Sequence, residues 1–266
     1  MGDVPDFLAL PERTRKPRVR GLTHVLDKGL PIAELENFLA VAGHAVDVVK
    51  IGWGIGYIDR CLGARVAACH QAGVVVSLGG TLVEIAVSQG RIPDLSRWAT
   101  QQGIDVLEVS NGLGHMSARR KTELIAALCQ DFVVLAETGS KDGSVPVIAG
   151  EWVAEMEADL AAGASLVVAE GRESGTVGLY SREGAISAQL VDAITGHLPL
   201  DRVIFEAPQK SQQAWLVDHV GVNVNLGNIP TTEVLPVETL RLGLRADTAH
   251  LALMDSDVQA TVVVLP

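Results

Sequence analysis

The sequence predicts a single (β/α)8 barrel, and three observations favour this fold class. Short runs rich in valine and isoleucine recur along the chain, separated by segments with helical periodicity, as is typical of α/β folds with parallel strands. The 266 residues are 48% hydrophobic but only 4% aromatic, which suits one large domain with an aliphatic core. Polar and charged residues gather where the runs end, which is where barrel enzymes carry their catalytic groups.

Eight apolar runs can be recognised, which is roughly the number of strands that a closed barrel needs. Alternation of strands and helices alone would also fit a doubly wound open sheet. The barrel is favoured because reactive side chains follow several different runs. The predicted strands are Leu22–Leu26, Val46–Ile51, Val74–Leu78, Val106–Val109, Val133–Ala136, Leu166–Ala169, Val203–Phe205 and Val222–Leu226.

Amphipathic segments between the runs predict helices, because their apolar residues recur on one helical face. No linker rich in glycine and serine, low-complexity tract or block of like charges divides the chain. We therefore predict one domain over residues 1–266, with a short N-terminal arm and a C-terminal extension. The predicted helices are Glu34–Ala42, Arg119–Cys129, Trp152–Leu160, Ala185–Ile194 and Thr232–Leu244.

Charge and composition exclude several classes of partner. The net charge of −11 disfavours nucleic acids and anionic membranes. The basic run Arg13–Arg20 lacks interleaved aromatic residues, so we expect a solvated arm or a subunit contact. Three cysteines without CxxC spacing argue against a disulfide framework and a zinc site. Without a signal-like N-terminus or a run of 18 apolar residues, we expect a soluble cytoplasmic protein.

Four glutamates close four successive predicted strands. Their carboxylates would meet at one barrel mouth, where buried acids need compensating cations or a divalent metal. Magnesium fits because it prefers oxygen ligands and commonly bridges carboxylates to substrate oxygens. Each acid could instead only pair with a neighbouring lysine or arginine. The glutamates are Glu108, Glu137, Glu170 and Glu206, and the available cations are Lys50, Lys141, Arg172 and Lys210.

Two loops that contain glycine favour an anion. The segment 170–175 offers Arg172 as a two-pronged donor, Ser174 as a hydroxyl donor and Gly175, where backbone N–H groups can approach a ligand. Gly227 and Asn228 end the eighth run, near where barrels often bind phosphate. Together with the acids, the two loops predict a site for a small phosphorylated carboxylic acid.

Other motifs with known chemistry are absent from the sequence. We find no GxSxG, HExxH or GxxxxGK[ST] segment and no strand-linked GxGxxG, which disfavours triad hydrolases, zincins and nucleotide enzymes. The histidines show no spacing typical of metal ligands. His24 lies within a predicted strand and is expected to line the barrel, whereas His115 follows Glu108 and is the histidine that would merit a test.

Ordered motifs extend along nearly the whole chain. They are GLTHVLDKGL (21–30), KIGWG (50–54), GGTLVE (79–84), EGRESG (170–175), FEAPQKSQQ (205–213) and ETLRLGLRADT (238–248). From about Gly21 to Thr248, these motifs resemble the phosphosulfolactate synthase family, and motifs of this length rarely coincide by chance.

This resemblance implies a homo-oligomeric (β/α)8 barrel that uses Mg²⁺ to add sulfite to phosphoenolpyruvate. The product would be (2R)-phospho-3-sulfolactate, formed by a lyase of the EC 4.4.1 type on the route toward coenzyme M. The resemblance places Lys141 after the fifth strand as the acid that protonates C2. The expected site comprises Lys141 and Lys50 as catalytic residues, Arg172, Ser174, Gly175, Lys210, Gly227 and Asn228 as phosphate or carboxylate ligands, and Glu108, Glu137, Glu170 and Glu206 as metal ligands.

Three features depart from the family pattern. Ile55 stands where relatives usually carry threonine, Leu113 lies in a segment that is usually more polar, and the tail after Thr248 is longer. Two alternative functions therefore stay open. A related lyase could add a different nucleophile to phosphoenolpyruvate or a similar acid, or the chain could be a non-catalytic, stress-associated member of the family.

Overall fold

Eight parallel strands close into a barrel in the computed structural model, which describes residues 5–140, 142, 144–172 and 174–253. Each strand hydrogen-bonds to the next along the chain, and the eighth returns to the first. The predicted (β/α)8 class is therefore confirmed. The strands are β1 (Thr23–Asp27), β2 (Val48–Ile51), β3 (Val75–Leu78), β4 (Val106–Val109), β5 (Val133–Thr138), β6 (Leu166–Ala169), β7 (Val203–Glu206) and β8 (Asn225–Pro230).

Helices surround the barrel and connect its strands. Two of them begin at serines, Ser117 and Ser187, whose hydroxyls accept a backbone N–H of the first turn, which is the usual role of serine at an N-cap. None of the helices described is long and apolar enough to cross a membrane. The helices are α1 (Ile32–Ala42), α2 (Ile55–Ile58), α3 (Leu62–Gln71), α4 (Gly80–Ser88), α5 (Ile92–Gln101), α6 (Ala118–Leu128), α7 (Ala149–Ala161), α8 (Ala188–His197), α9 (Lys210–Val220) and α10 (Val234–Arg241).

The interior of the barrel is built in layers. Val106, Leu135, Val168 and Ile204 form a small apolar cluster separate from the main core. A glutamate follows each of these four residues two positions later, within β4, β5 and β7 and directly after β6, and residues two apart in extended backbone share a face. The four glutamates therefore lie one layer above this apolar cluster, at the carboxyl end of the barrel.

The N-terminal arm closes the opposite end of the barrel. Arg13 makes a two-pronged contact with Glu238, at 2.8 and 3.0 Å, and its Nη1 donates to Asn223. Arg241 is fully buried and donates to the carbonyl oxygens of residues 22, 222 and 224. We call Arg13, Asn223, Glu238 and Arg241 the floor cluster. Part of the basic run thus binds its own barrel instead of forming the solvated arm that we predicted, whereas the subunit contact stays a prediction.

The C-terminal extension is described only in part. After α10, a 3-10 helix spans Ala246–Leu251, and Thr248 donates its hydroxyl hydrogen to the carbonyl of Leu240. Residues 254–266 lie outside the described residues.

Candidate active site

One lysine and four glutamates share the carboxyl end of the barrel. Lys50 Nζ lies 2.8 Å from Glu108 Oε1, 3.2 Å from Glu206 Oε1 and 3.7 Å from Glu137 Oε2. Glu170 closes β6 beside them, and all five residues are buried. We call these five residues the mouth cluster.

The cluster raises the pKa values of both its lysine and its glutamates, for different reasons. Burial opposes the charge of Lys50, but attraction from Glu108, Glu206 and Glu137 outweighs it and raises the pKa of Lys50 well above its ordinary value. Burial raises the pKa of Glu108 to about 7 despite the favourable effect of Lys50. Burial also raises the pKa of Glu206. Lys50 therefore stays charged, while Glu108 and Glu206 favour their neutral forms more than an ordinary glutamate does.

Glu137 and Glu170 are in direct contact. Burial raises the pKa of Glu170 well above its ordinary value, and so do the charge of Glu137 and a side-chain hydrogen bond to it. Such a contact between two carboxyl groups requires a proton, or a cation that replaces it.

Three of the glutamates could hold a metal ion. Ligand oxygens of Glu137, Glu170 and Glu206 all lie within 4.8 Å of one another. Among the described residues, Glu170 Oε2 and Glu108 Oε2 are buried without a hydrogen-bond partner. Four carboxylates face one ammonium group here, so a hard divalent cation such as Mg²⁺ fits both the charge and the oxygen donors.

Two of the glutamates also fix the loops that surround the mouth. Glu206 Oε2 accepts the backbone N–H groups of Gly171 and Arg172, each at 2.9 Å. Glu108 Oε1 accepts the N–H of Gly80 at 2.9 Å, at the start of α4. Through these two carboxylates, Lys50 connects the loop after β3 to the loop after β6.

A cavity of about 250 Å³ opens above the mouth cluster. Among the described residues, the non-glycine residues with positive φ are Trp53 (51°), Arg172 (56°) and Asn228 (52°). All three line this cavity. Non-glycine residues in the left-handed region are strained and occur preferentially at ligand sites. The strained backbone and the buried charges therefore both indicate that this cavity binds a ligand.

Asn228 is positioned from inside the barrel. Its backbone N–H lies 3.5 Å from His24 Nδ1, and its side-chain Oδ1 is buried without a partner among the described residues. His24 is fully buried, and burial lowers its pKa to about 3. The prediction that His24 lines the barrel is confirmed, and as a neutral ring it can accept this N–H. His115 is exposed and lies outside the lining of the cavity.

The structure separates the predicted phosphate ligands. Arg172 and Asn228 line the cavity, whereas Lys210 Nζ binds Asp247 at 2.7 Å with its side chain 44% exposed. The Ser174 hydroxyl is hydrogen-bonded to Thr176 at 2.8 Å.

The two predicted glycines, Gly175 and Gly227, are close-packed against neighbouring residues. The carbonyl of Gly175 accepts Gln212 Nε2 at 2.8 Å. A Cβ on Gly227 would come within 2.8 Å of the Ile204 side chain. Lys141 lies outside the described residues.

The structure also identifies contributors that our site prediction omitted. Trp53 and Leu113 line the cavity, as do Gly79, Gly80 and Thr81 at the start of α4. Two sequence signals pointed there, namely the Gly-Trp-Gly segment and the apolar residue at position 113. Among the described residues, Ile55 packs against the main core instead of lining the cavity.

Comparisons with known proteins agree on one family. The sequence model of the (2R)-phospho-3-sulfolactate synthase (ComA) family matches residues 11–247. A phosphosulfolactate synthase of Bacillus subtilis (strain 168) is 39% identical over 250 residues, covering 92% of this chain and 99% of the relative. Its counterpart in Methanothermobacter thermautotrophicus is 40% identical over 249 residues, covering 91% and 96%.

A solved structure supports the fold independently of the site. 3-Hexulose-6-phosphate synthase from Salmonella typhimurium superposes with a TM-score of 0.53 and 14% identity, covering 87% of this chain and 94% of that one. At this identity, the likeness concerns the barrel alone.

Proposed function

This chain belongs to the (2R)-phospho-3-sulfolactate synthase family, and we propose that it adds sulfite to phosphoenolpyruvate to give (2R)-phospho-3-sulfolactate. One observation carries the proposal. A buried cluster of Glu137, Glu170 and Glu206 lies beside Arg172 in one small cavity of a chain from this family. Such a cavity can hold a cation and a small anion together.

The donor set of the mouth cluster suits Mg²⁺. Glu137, Glu170 and Glu206 would hold it, and Glu170 Oε2 has no other partner among the described residues. A bound Mg²⁺ would supply positive charge beside the substrate carboxylate, where negative charge develops during the reaction.

The proposed reaction is an addition to a carbon–carbon double bond. The sulfur lone pair of sulfite forms a bond to C3, and the π electrons move onto C2 and the carboxylate. C2 then takes up one proton, so no group leaves. Arg172 would bind an anionic group of the substrate through its planar donors, and Asn228 would contact the substrate through its side-chain amide.

We assign different roles to the two lysines. Lys50 contacts Glu108 and Glu206, and its raised pKa suits a permanent positive charge that stabilises the developing carboxylate charge. Lys141, which lies outside the described residues, is the proposed proton donor to C2. This division keeps the role that the resemblance implies for Lys141 and gives a specific role to Lys50, which the sequence prediction described only as catalytic.

The test is direct detection of the product. Enzyme, Mg²⁺, ¹³C-labelled phosphoenolpyruvate and sulfite should yield a labelled phosphorylated sulfonate by mass spectrometry. Lys141→Met should abolish its formation, whereas Lys210→Met serves as a matched control and should retain it. Absence of the sulfonate with the natural chain would refute the proposal.

A different nucleophile is the second candidate, favoured by the apolar Leu113 in the lining of the cavity. Competition of sulfite with other small nucleophiles in the same assay decides between the two. If no nucleophile reacts, the non-catalytic alternative gains. We also expect the homo-oligomer that the family resemblance implies, which light scattering would measure.

A further inference from the structure

The cavity above the mouth cluster has two chemically different sides. Its charged groups are the mouth cluster at the strand ends and Arg172, which follows β6 on the opposite side of the barrel from β2. Trp53 and Leu113 contribute apolar side chains from the loops after β2 and β4, further along the chain than Lys50 and Glu108. A ligand that fills the cavity should therefore carry its charges at one end and an uncharged group at the other.

Trp53 is held in place by its surroundings. Its left-handed backbone (φ 51°) is strained for a bulky side chain, yet 41% of the residue is exposed to the cavity and solvent. A Cβ at position 79 would lie only 3.0 Å from the backbone nitrogen of Trp53, so glycine at position 79 lets the two backbones approach closely. The N–H of Gly52 donates to Asp27 O at 2.9 Å and fixes the preceding residue. Strain of this kind persists where the surrounding structure imposes it, commonly at ligand sites.

Leu113 is anchored by a buried acid. Glu84 on α4 is 3% exposed, and its Oε2 accepts the Leu113 N–H at 2.8 Å while its Oε1 accepts the Ser110 hydroxyl. Asn111 closes the same loop by bonding both the N–H and the carbonyl of Met116, at 2.8 and 2.7 Å. The loop after β4 is therefore preorganised, and it presents a half-exposed leucine to the cavity.

We propose that Trp53 and Leu113 form the wall that receives the uncharged carbon end of the phosphorylated acid, and that Leu113 limits its size there. The identity of the acid rests on the proposed function. The phosphate and carboxylate need the donors and cations of the opposite side, which leaves the C3 methylene of phosphoenolpyruvate toward the wall. Leu113 would then exclude acids that carry a substituent on C3.

The size limit can be measured with a substrate that has one additional methyl group. The natural chain should prefer phosphoenolpyruvate to (Z)-2-phosphoenolbutyrate by about tenfold or more, the usual discrimination for one such group. Leu113→Ala should reduce this ratio about tenfold, mainly by improving use of the larger acid. Leu235→Ala is the matched control, since Leu235 on α10 is 39% exposed and Leu113 is 40% exposed. An unchanged ratio in Leu113→Ala would overturn the proposal.

Trp53 provides a second test that separates contact from folding. Trp53→Gly should leave the melting temperature unchanged or raise it, because glycine adopts a positive φ without strain. Its kcat/KM for phosphoenolpyruvate should nevertheless fall about tenfold, and Trp53→Phe should recover part of that loss. Full activity in Trp53→Gly would show that Trp53 is not part of the wall that contacts the substrate.

The preference for phosphoenolpyruvate over the larger acid can also be measured as a ratio of binding affinities, without turnover. Calorimetric titration of both acids in the presence of Mg²⁺ reports binding alone, so the wall is tested even if sulfite is not the nucleophile. Selective binding without sulfonate formation would support the wall and refute the proposed reaction. Failure of phosphoenolpyruvate to bind the natural chain would overturn both.

Discussion

The two ends of the barrel bury charge in opposite ways. At the floor cluster, Arg241 donates to three backbone carbonyl oxygens and Arg13 binds Glu238 with both prongs. At the mouth cluster, a single lysine lies within 4 Å of three glutamates, and carboxylate oxygens of Glu108 and Glu170 have no partner among the described residues. At the floor, Arg241 Nε has no hydrogen-bond partner among the described residues, but it lies 3.6 Å from the Glu238 carboxylate, so each charge has a compensating group. The mouth instead has more carboxylates than cations, which favours a bound cation.

The pKa shifts express the same difference. Although burial opposes it, Arg13 holds the pKa of Glu238 below its ordinary value, whereas burial raises the pKa of Glu108 to about 7. Burial lowers the pKa of Arg241 to about 9, while the acids around Lys50 raise its pKa. Both ends therefore bury charge at a cost. At the floor the cost falls on Arg241, whose donors bind the carbonyl groups of its own barrel, and at the mouth it falls on carboxyl groups that a bound cation would stabilise. We therefore assign stability to the floor and binding to the mouth.

The largest expected effect is on activity at the mouth. Glu170→Gln keeps the shape of the side chain but removes a negative oxygen ligand, so kcat/KM should fall by about 100-fold or more. Measured with EDTA, the free energy of unfolding should change by no more than ~1 kcal/mol, about the net value of one hydrogen bond, because burial and Glu137 raise the pKa of Glu170 and favour its neutral form. Activity assays and urea unfolding measure the two quantities. Retained activity would show that Glu170 does not serve the reaction.

The opposite outcome is expected at the floor. Arg241→Met should lower the free energy of unfolding by ~3 kcal/mol, because Glu238 loses a neighbouring cation and three buried carbonyl groups lose their donor. The kcat/KM per folded molecule should stay the same. Arg97→Met is a suitable control, since Arg97 is an exposed arginine that binds Asp94. A loss of activity in the folded Arg241 variant would contradict the division between the two ends.

The two ends should also respond to pH with opposite signs. Glu108 has an ordinary pKa of 4.5 and a folded pKa of about 7, so the folded chain binds more protons than the unfolded chain between these values. Its contribution therefore weakens as pH rises from about 4.5 to about 7. Glu238 has a lowered folded pKa, so its contribution is present above 4.5 and is lost as pH falls further.

Urea unfolding between pH 3 and pH 8 in the presence of EDTA would separate these contributions. Glu108→Gln should flatten the decline toward neutral pH, and Glu238→Gln should flatten the decline on the acid side. If the free energy of unfolding depended on pH in the same way in both variants and the natural chain, the assignment of the acid side to Glu238 and of the neutral side to Glu108 would be wrong.

The smallest effect concerns Lys210. It binds Asp247 at the surface, and exposed ion pairs contribute only ~0–1 kcal/mol. Lys210→Met should therefore change stability by no more than this amount and kcat/KM by less than about threefold. A large rise in KM for phosphoenolpyruvate would show that Lys210 moves to bind the substrate, as the sequence alone predicted.

The sequence predicted the strands and the acids well because both follow simple rules. β4 and β6 have the predicted bounds, and the period of two in a strand directs the four glutamates inward. The eighth strand begins at Asn225, not at Val222, because Gly221 adopts a φ of 118° and a turn follows it. Apolar residues can therefore precede a strand without belonging to it.

Helix α9 and the division of the site were harder to predict, for a physical reason. The buried face of α9 includes Gln212 and Gln213, which donate to backbone carbonyl groups, so hydrophobic periodicity does not mark this helix. The role of Lys210 depends on which way its side chain turns, and Asp247 is too distant in sequence for a motif to indicate this pairing. The hydrogen bond from the Leu113 N–H to Glu84 likewise joins the loop after β4 to helix α4, which only the fold brings together.

The most direct test of the central claim is a crystal structure with phosphoenolpyruvate and Mn²⁺ in place of Mg²⁺. We predict an anomalous peak bound by Glu137, Glu170 and Glu206, with an anionic group of the substrate on Arg172 and its methylene toward Trp53 and Leu113. Manganese bound elsewhere, or the phosphate held by Lys210 at the surface, would contradict the account.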